Sequence, residues 1–525
     1  MWPYPSVNTE IFLYNSSSRN LHSSRLMKIK NLLIANRGEI AIRIIQTARK
    51  MNIKSFVLKT SKEPYAPYLR AADEVIDFTE NPDEISEFLD IERIIETAKA
   101  NKIDAIHPGY GFLAENPYFA QRCEDEKIIF IGPTPDAIYK MGNKTIAKQL
   151  ARKYKIPLLE GSVGNLETVE EALEMAIKIG YPVILKAAAG GGGRGMRIVE
   201  RATQMEKMFK LAANEAAKAF NDPSLFIEKY VRNPRHIEFQ IMADKYGNTI
   251  HLGERECSVQ RKHQKLIEES PSVALSPALR KKMGEAAVAV AKTVNYHTAG
   301  TVEFLLDADK QFYFMEMNTR IQVEHPVTEM ITGLDLIELQ IRMAEGEVLE
   351  YKQNDVKLNG WSIECRINAE DVQAGFSPHL GFIEKISFPS GKNIRVDTGV
   401  QDSTTITPYY DSMIAKLIVY GEDRKKALAN AMNALAKVKI KGIKTTVPFC
   451  KAVLSNKQFQ KGDFNTSFIE KELDQLYYQE PDEEMLAAFF AAHDYMMDLR
   501  KDKEANIDYE KGKNLDPWIL NKRLK

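Results

Sequence analysis

The chain has 525 residues, too many for one ordinary domain, so two or three packed units with a sizeable core are expected. Lys plus Arg and Asp plus Glu both total 72, which excludes the strong overall field of a nucleic-acid-binding or anionic-membrane-binding protein. At 44% hydrophobic and 27% charged the balance is that of a soluble globular protein, and no apolar run approaches the roughly 18 residues of a membrane-spanning helix.

Residues 1–26 are rich in Ser, Asn and Tyr and lack the apolar core of a secretory signal, so they read as a disordered leader or an upstream misassigned start. Cys123, Cys257, Cys365 and Cys450 are widely separated and form no CxxC pair. Neither a zinc site nor a disulfide framework is indicated, and a reducing cytoplasm fits best. Residues 30–35 form an apolar strand, 39–50 (EIAIRIIQTARK) a helix and 55–59 a second strand. This β-turn-α-β opening predicts a parallel sheet whose ligands bind beyond the carboxyl ends of the strands. The turn Asn36-Arg37-Gly38-Glu39 has no GxGxxG, so no dinucleotide is implied. A helix over 91–101 and a strand over 103–106 lead to His107 in a Pro/Gly turn, where a structural histidine is expected. A single helix over 136–154 carries Lys144.

Residues 181–187 (YPVILKA) read as a strand bearing Lys186, followed by the run AAGGGGRG and a further strand over 196–200. Gly190, Gly192 and Gly195 match GxGxxG, but a strand follows where a Rossmann unit needs a helix, and no Lys-Ser/Thr completes a Walker loop. Strand, glycine loop, strand reads instead as a flap whose backbone amides close over phosphates. After a helix over 204–219, strand 225–230 contains Glu228 and Lys229; as an edge strand it offers backbone groups to an adenine, with Val231 beneath the ring. Residues 235–243 (RHIEFQIMA) alternate, placing His236, Glu238 and Gln240 on one face and Ile237, Phe239 and Ile241 on the other. Residues 257–265 (CSVQRKHQK) read as a basic loop suited to anions.

Residues 301–329, TVEFLLDADKQFYFMEMNTRIQVEHPVTE, are the densest in reactive groups. Apolar runs over 302–306 and 312–317 flank Asp307-Ala308-Asp309-Lys310, a hairpin pattern. A turn centred between Asp309 and Lys310 sets Glu303 opposite Glu316, where like charges repel unless neutralised, and Asn318 projects to the same face as Glu316. Two carboxylates and an amide converging suit a hard divalent cation shared with nucleotide phosphates. A solvated face with two unrelated acids would give the same spacing; the continuation through Arg320, Gln322, Glu324, His325 and Glu329 argues against it.

The chain resembles biotin carboxylase, the ATP-grasp component of biotin-dependent carboxylases. The matching stretches are IANRGEIAIR, HPGYGFLAEN, IGPTPDAI, KMGNK, GYPVILKAAAGGGGRGMR, EKYVRNPRHIEFQ, ERECSVQRKHQKLIEE, EMNTRIQVEHPVTE, ECRINAED and TPYYDSMIAKLIVYG, in family order over about residues 29 to 470. The resemblance implies an α/β and α+β multidomain chain: a Rossmann-like N-terminal parallel-sheet domain over 27–140, an ATP-grasp core over 141–345 with a mobile lid at about 160–230, and a mixed sheet and helix domain over 346–470. It implies that ATP and bicarbonate give carboxyphosphate, which delivers CO₂ to biotin. Lys144, Lys186, Glu228, Lys229, Tyr230, Val231, His236, Gln260 and His263 match nucleotide ligands, and Gly192 and Gly193 match the flap over the phosphates. Glu303, Glu316 and Asn318 match ligands of Mg²⁺ or Mn²⁺, two ions being expected. Lys265, Arg320, Gln322 and the Val323 amide match the bicarbonate site. Glu324 matches the general base, and a carboxylate flanked by cations stays ionised and able to accept a proton. Arg366 matches the arginine that stabilises the ureido oxygen of biotin; an ion pair with Glu364 or Glu370 is the structural alternative.

No Ala-Met-Lys-Met biotinylation motif occurs, and no residues remain for a carboxyltransferase. Biotin is therefore expected as a substrate on a separate carrier protein, with a carboxyltransferase subunit choosing the acceptor. A homodimer, no nucleic acid, no membrane and a cytoplasmic location are the remaining expectations. Residues 471–525 read as an amphipathic helix and a basic tail ending NKRLK.

Overall fold

The computed structural model describes residues 28–79, 87–162, 164–188, 196–473, 476 and 489–497. The glycine run with Gly192 and Gly193, the leader and the basic tail lie outside them.

Asn31–Ile34 is the central strand of a five-stranded parallel sheet, with Lys54–Lys59 and then Glu74–Asp77 on one side, and Ala105–His107 and then Ile129–Phe130 on the other. Both faces of the central strand are covered, as parallel sheets require. Leu32 and Ile34 pack with Ile40, Ile44, Ile45 and Ala48 of helix Gly38–Lys50, while Leu33 joins Ile94, Phe119 and Ile138 on the opposite face. Two residues past the strand, the side-chain amide of Asn36 donates to the carbonyls of Pro108 (2.7 Å) and Tyr110 (2.8 Å). That ties together the loops that follow the neighbouring strands Asn31–Ile34 and Ala105–His107, at the carboxyl end of the sheet, the place the β-turn-α-β pattern predicted.

Val183–Ala187 centres a three-stranded antiparallel sheet between Arg197–Val199 and Leu225–Lys229. Helices Val169–Ile179 and Met205–Phe220 cover it through Ala172, Ala176, Phe209 and Ala212. The strand, loop, strand reading of the glycine segment holds for its described flanks. Leu225–Lys229 is an edge strand of this sheet, as expected, but its outer side is not bare. Ser162 N donates to Ile227 O (2.9 Å), Leu166 N to Leu225 O (2.6 Å) and Lys229 N to Glu160 O (2.8 Å), so a preceding segment already occupies that edge.

The largest element is an eight-stranded antiparallel sheet in the order Phe312–Asn318, Thr298–Leu306, Arg235–Ala243, Thr249–Arg261, Gln264–Ser270, Trp361–Asn368, Met413–Gly421, Ile394–Thr398. It runs straight through the division expected near residue 345, because Gln264–Ser270 pairs with Trp361–Asn368. The segment read as a basic loop is part of this sheet. Lys262 (φ 48°) and His263 (φ 66°) form a tight turn between two paired strands. Positive φ at both central residues marks a type I′ turn, which Asn-Gly normally signals; Lys-His carries no such signature. In the 312–318 hairpin the pairs next to the turn are Leu306 with Phe312, Leu305 with Tyr313 and Phe304 with Phe314, one residue out of the expected register. A bulge before Glu303 restores it, so Glu303 does pair with Glu316.

The helix expected over 136–154 is two, Pro135–Gly142 and Lys144–Lys153. Asn143 breaks them with ψ 106° and caps the second, its Oδ1 accepting from Ile146 N at 3.0 Å. The break sets Lys144 at the first position of a helix that faces the hairpin. Of the separate unit 477–525, residues 489–497 are described; they are helical, with Phe489, Phe490, Tyr495 and Met496 exposed. Among the described residues no helix is long and apolar enough to cross a membrane. Replacing Asn143 with alanine should lower folding stability by about 1 kcal/mol, the ordinary value of an N-cap, read as a shift in the urea midpoint.

Candidate active site

A cleft of about 1100 Å³ opens between the carboxyl end of the parallel sheet, the small three-stranded sheet and one face of the large sheet. Every sequence-predicted site residue among the described ones lines it except Glu228, which lies behind its wall.

The face of the large sheet beneath the cleft is a layer of buried charge. Alternation along Arg235–Ala243 sends Ile237, Phe239 and Ile241 into an apolar core and His236, Glu238 and Gln240 into this layer, as the sequence indicated. Lys265 stands at its centre, with Nζ 2.5 Å from Glu238, 3.2 Å from Glu303 and 2.5 Å from Glu324. Burial alone would lower the lysine pKa, but the three carboxylates outweigh it and raise it well above the ordinary value. Burial likewise opposes ionisation of Glu324, yet Lys265 and Arg366 hold it well below the usual carboxylate range. A carboxylate so held is ionised at neutral pH.

The hairpin acids are neutralised from two sides. His236 Nε2 lies 2.9 Å from Glu303, and the amides of Asn318 and Gln322 both donate to Glu303 at 2.8 Å. Glu316 pairs with Lys144 at 3.0 Å. Thr301 opposes Asn318 and Glu303 opposes Glu316, so Glu303, Glu316 and Asn318 project from neighbouring positions of one ladder. Arg320 donates to Glu115 (2.8 Å) and to Asn318 Oδ1 (3.2 Å). Gln322 is held at both ends, its oxygen accepting from Arg255 at 2.6 Å. Arg366 pairs with Glu268 (2.5 Å) and Glu324 (3.0 Å), not with Glu364 or Glu370. Burial pushes the carboxyls of Glu268 and Glu364 up, the reverse of Glu324.

Toward the three-stranded sheet, Lys186 lies 2.8 Å from Glu228, and Lys148 closes on the same carboxylate. Burial opposes ionisation, but these two ammonium groups hold Glu228 down at about 2. The cleft lining also includes the apolar and aromatic Ile184, Tyr230, Val231, Leu305 and Met315, together with Lys229, Gln260 and His263.

Sequence reading missed several of these groups. Arg255 is fully buried and uses all five N–H donors: on Glu238 (2.5 Å), Gln240 (2.7 Å), Thr328 (3.1 Å), Thr301 (3.1 Å) and Gln322 (2.6 Å). The alternation that placed Glu238 and Gln240 on one face was its available signal, since two polar groups facing a core need a donor. Glu115, Lys148, Glu268 and Lys416 were missed for a different reason: their partners are remote in sequence.

Comparison with known proteins assigns the chain. The family model for the "Biotin carboxylase, N-terminal domain" matches residues 28–138, and that for the "Carbamoyl-phosphate synthase L chain, ATP binding domain" matches 143–352. The ATP-binding model leaves two kinds of ligase open. The third, the "Biotin carboxylase C-terminal domain", matches 364–471. The chain belongs to the biotin carboxylase family. Biotin carboxylase 1 of Bacillus subtilis is 50% identical over 84% of the chain and 98% of its own length. The 2-oxoglutarate carboxylase small subunit of Hydrogenobacter thermophilus is 47% identical over 88% of the chain and 98% of that subunit. The biotin carboxylase domain dimer of the Hydrogenobacter enzyme, solved with MgADP, ADP and bicarbonate, superposes with a TM-score of 0.84 at 47% identity, over 86% of the chain and all of that domain. A Campylobacter jejuni biotin carboxylase solved with a β,γ-ATP complex gives 0.82 at 46% identity, over 85% of the chain and 99% of its own. Members of the family are ATP-dependent ligases.

Replacing Arg255 with methionine should cost about 3–5 kcal/mol of folding stability, measured by urea denaturation, because it strands the Glu238 oxygen and the Gln240 and Gln322 carbonyls. Lysine at 255 should recover only part, having three donors for five acceptors.

Proposed function

We propose that this cleft carries out the ATP- and bicarbonate-dependent carboxylation of biotin, with the roles assigned to its residues as follows. The observation that carries the reading is the meeting of Lys265, Arg320, Glu324 and Arg366 beside the paired acids of one hairpin. Glu303, Glu316 and Asn318 offer three hard oxygen donors on adjacent positions, a set that fits Mg²⁺ or Mn²⁺, and two carboxylates opposed across a ladder favour a cation between them. Bound with ATP, the metal supplies charge neutralisation at the phosphates.

Lys144 and Lys186 bind phosphate oxygens, aided by Gly192 and Gly193 of the flap. Residues 228–231 hold the adenine, with Glu228 acting from behind by fixing Lys186, and His236, Gln260 and His263 complete the nucleotide site. Lys265, Arg320, Gln322 and the Val323 amide hold bicarbonate in line with the γ-phosphate, where a guanidinium and an ammonium fix a small oxyanion. Glu324 accepts the bicarbonate proton as the new C–O–P bond forms, giving carboxyphosphate and ADP. Arg366 faces the negative charge that develops on the ureido oxygen of biotin.

The carbonyl of Val323 accepts from the fully buried Lys416 at 2.9 Å, which fixes the orientation of the turn that carries both Val323 and Glu324. Biotin arrives on a separate carrier protein, a carboxyltransferase subunit passes the carboxyl group to acetyl-CoA, propionyl-CoA or pyruvate, and the chain pairs with a second copy of itself in the cytoplasm. Domains over 27–140, 141–345 and 346–470 follow this assignment, with the large sheet shared by the last two.

ADP release from ATP and bicarbonate should rise on addition of free biotin, and Arg366→Ala should cut the biotin-dependent part by roughly 10²–10³-fold, the usual value of one oxyanion-stabilising donor. Stimulation by ammonia in place of biotin would overturn the assignment.

A further inference from the structure

Arg366 is held on its inner side by two carboxylates of different kinds. Glu324 lies at the cleft, 3.0 Å from Nη2. Glu268 lies beneath it, fully buried, with Oε1 2.6 Å from Nε and 2.5 Å from Nη2. Among the described residues Nη1 has no hydrogen-bond partner, and Arg366 lines the cleft, so that edge of the guanidinium is the one turned to a ligand. The backbone around Arg366 is fixed as well, since its carbonyl accepts from Thr446 at 2.9 Å.

The two carboxylates do not keep the same charge through a reaction in which Glu324 is the base. When Glu324 takes the bicarbonate proton, its contact with Nη2 loses the attraction between opposite charges: the guanidinium still donates, but to a neutral carboxyl, and the anchor weakens. Biotin is carboxylated after that transfer, so Arg366 must keep its orientation while its cleft-side anchor is weak. Glu268 sits in the middle of strand Gln264–Ser270, paired on both edges, and cannot follow the guanidinium into the cleft. Glu364, directly opposite on the next strand, has neither oxygen hydrogen-bonded, and burial favours its neutral form, so it does not compete for Arg366.

We propose that Glu268 is a positioning residue for the second half of the reaction, holding the Arg366 guanidinium toward biotin while Glu324 is protonated. This rests on the roles proposed above for Glu324 and Arg366.

The test compares wild type, Glu268→Gln, Glu268→Asp and Arg366→Ala by ADP release, with and without free biotin, at saturating ATP and bicarbonate. Carboxyphosphate formed without biotin is lost to water, so the biotin-independent rate reports the first half-reaction and a folded site. Glu268→Gln should lower kcat for the biotin-dependent rate by about tenfold to a hundredfold, the effect of a misplaced catalytic group, and reduce the biotin-independent rate much less. Its KM for ATP should stay near wild type. Glu268→Asp keeps a carboxyl group as the acceptor and should restore part of the biotin-dependent rate; it carries the same comparison if the glutamine variant does not fold. Equal losses in the two rates, or a biotin-dependent rate within about twofold of wild type, would overturn the inference. A wild-type biotin-dependent rate in Arg366→Ala would instead sink the site assignment on which it rests.

Discussion

Lys265 donates to Glu238, Glu303 and Glu324 at once, all of them almost wholly buried, and the rest of the cleft depends on that contact. Taking one charge out of water costs several kcal/mol, and only close, well-directed partners offset it. Each carboxylate therefore needs a second cation: Arg255 for Glu238, His236 for Glu303, Arg366 for Glu324. The hairpin carrying Glu303 and Glu316, the turn at Val323 and Glu324 and the strand carrying Arg366 are thus fixed by one set of mutual constraints. None can shift without stranding a charge on another.

The same requirement extends to the parallel sheet. Lys416, fully buried, reaches the Val323 carbonyl at 2.9 Å and Glu39 at 3.1 Å, and Glu39 is in turn bound by the Tyr110 hydroxyl. Helix His325–Thr332 follows Glu324 directly, and its Glu329 takes Arg43 (2.8 Å) and Arg395 (2.6 Å). Arg43 belongs to the helix that covers the central parallel strand, Arg395 to the far edge of the large sheet. The loops at the carboxyl end of the first domain are consequently locked to the sheet that carries the charges, which is what lets residues from both line one cleft.

What could be read along the chain followed from local periodicity. The alternation at 235–243 separated Glu238 from Phe239, and the hairpin pattern put Glu303 against Glu316 even though the turn differed, because a bulge before Glu303 offset the shift. Local rules failed where the signal was not in residue type. Lys262-His263 makes a turn ordinarily written Asn-Gly, so two strands were read as a loop. Asn143 looked like a helix interior residue, yet its side chain ends one helix and starts the next. The strand over 225–229 is an edge as read, but Glu160, Ser162 and Leu166 already bond along it, and nothing in its own residues signals that.

By itself the sequence determined the opening β-turn-α-β unit, the alternation at 235–243, the face on which the hairpin acids lie and, through long matching motifs, the reaction family, because periodicity and motif are local properties of the chain. Which cation sits on which carboxylate was decided only by tertiary structure. Arg320 meets Glu115 across 205 positions, Arg366 meets Glu268 across 98, and Lys148 meets Glu228 across 80. A buried charge constrains its partner by distance and direction in space, and neither is written in the spacing of residues along the chain.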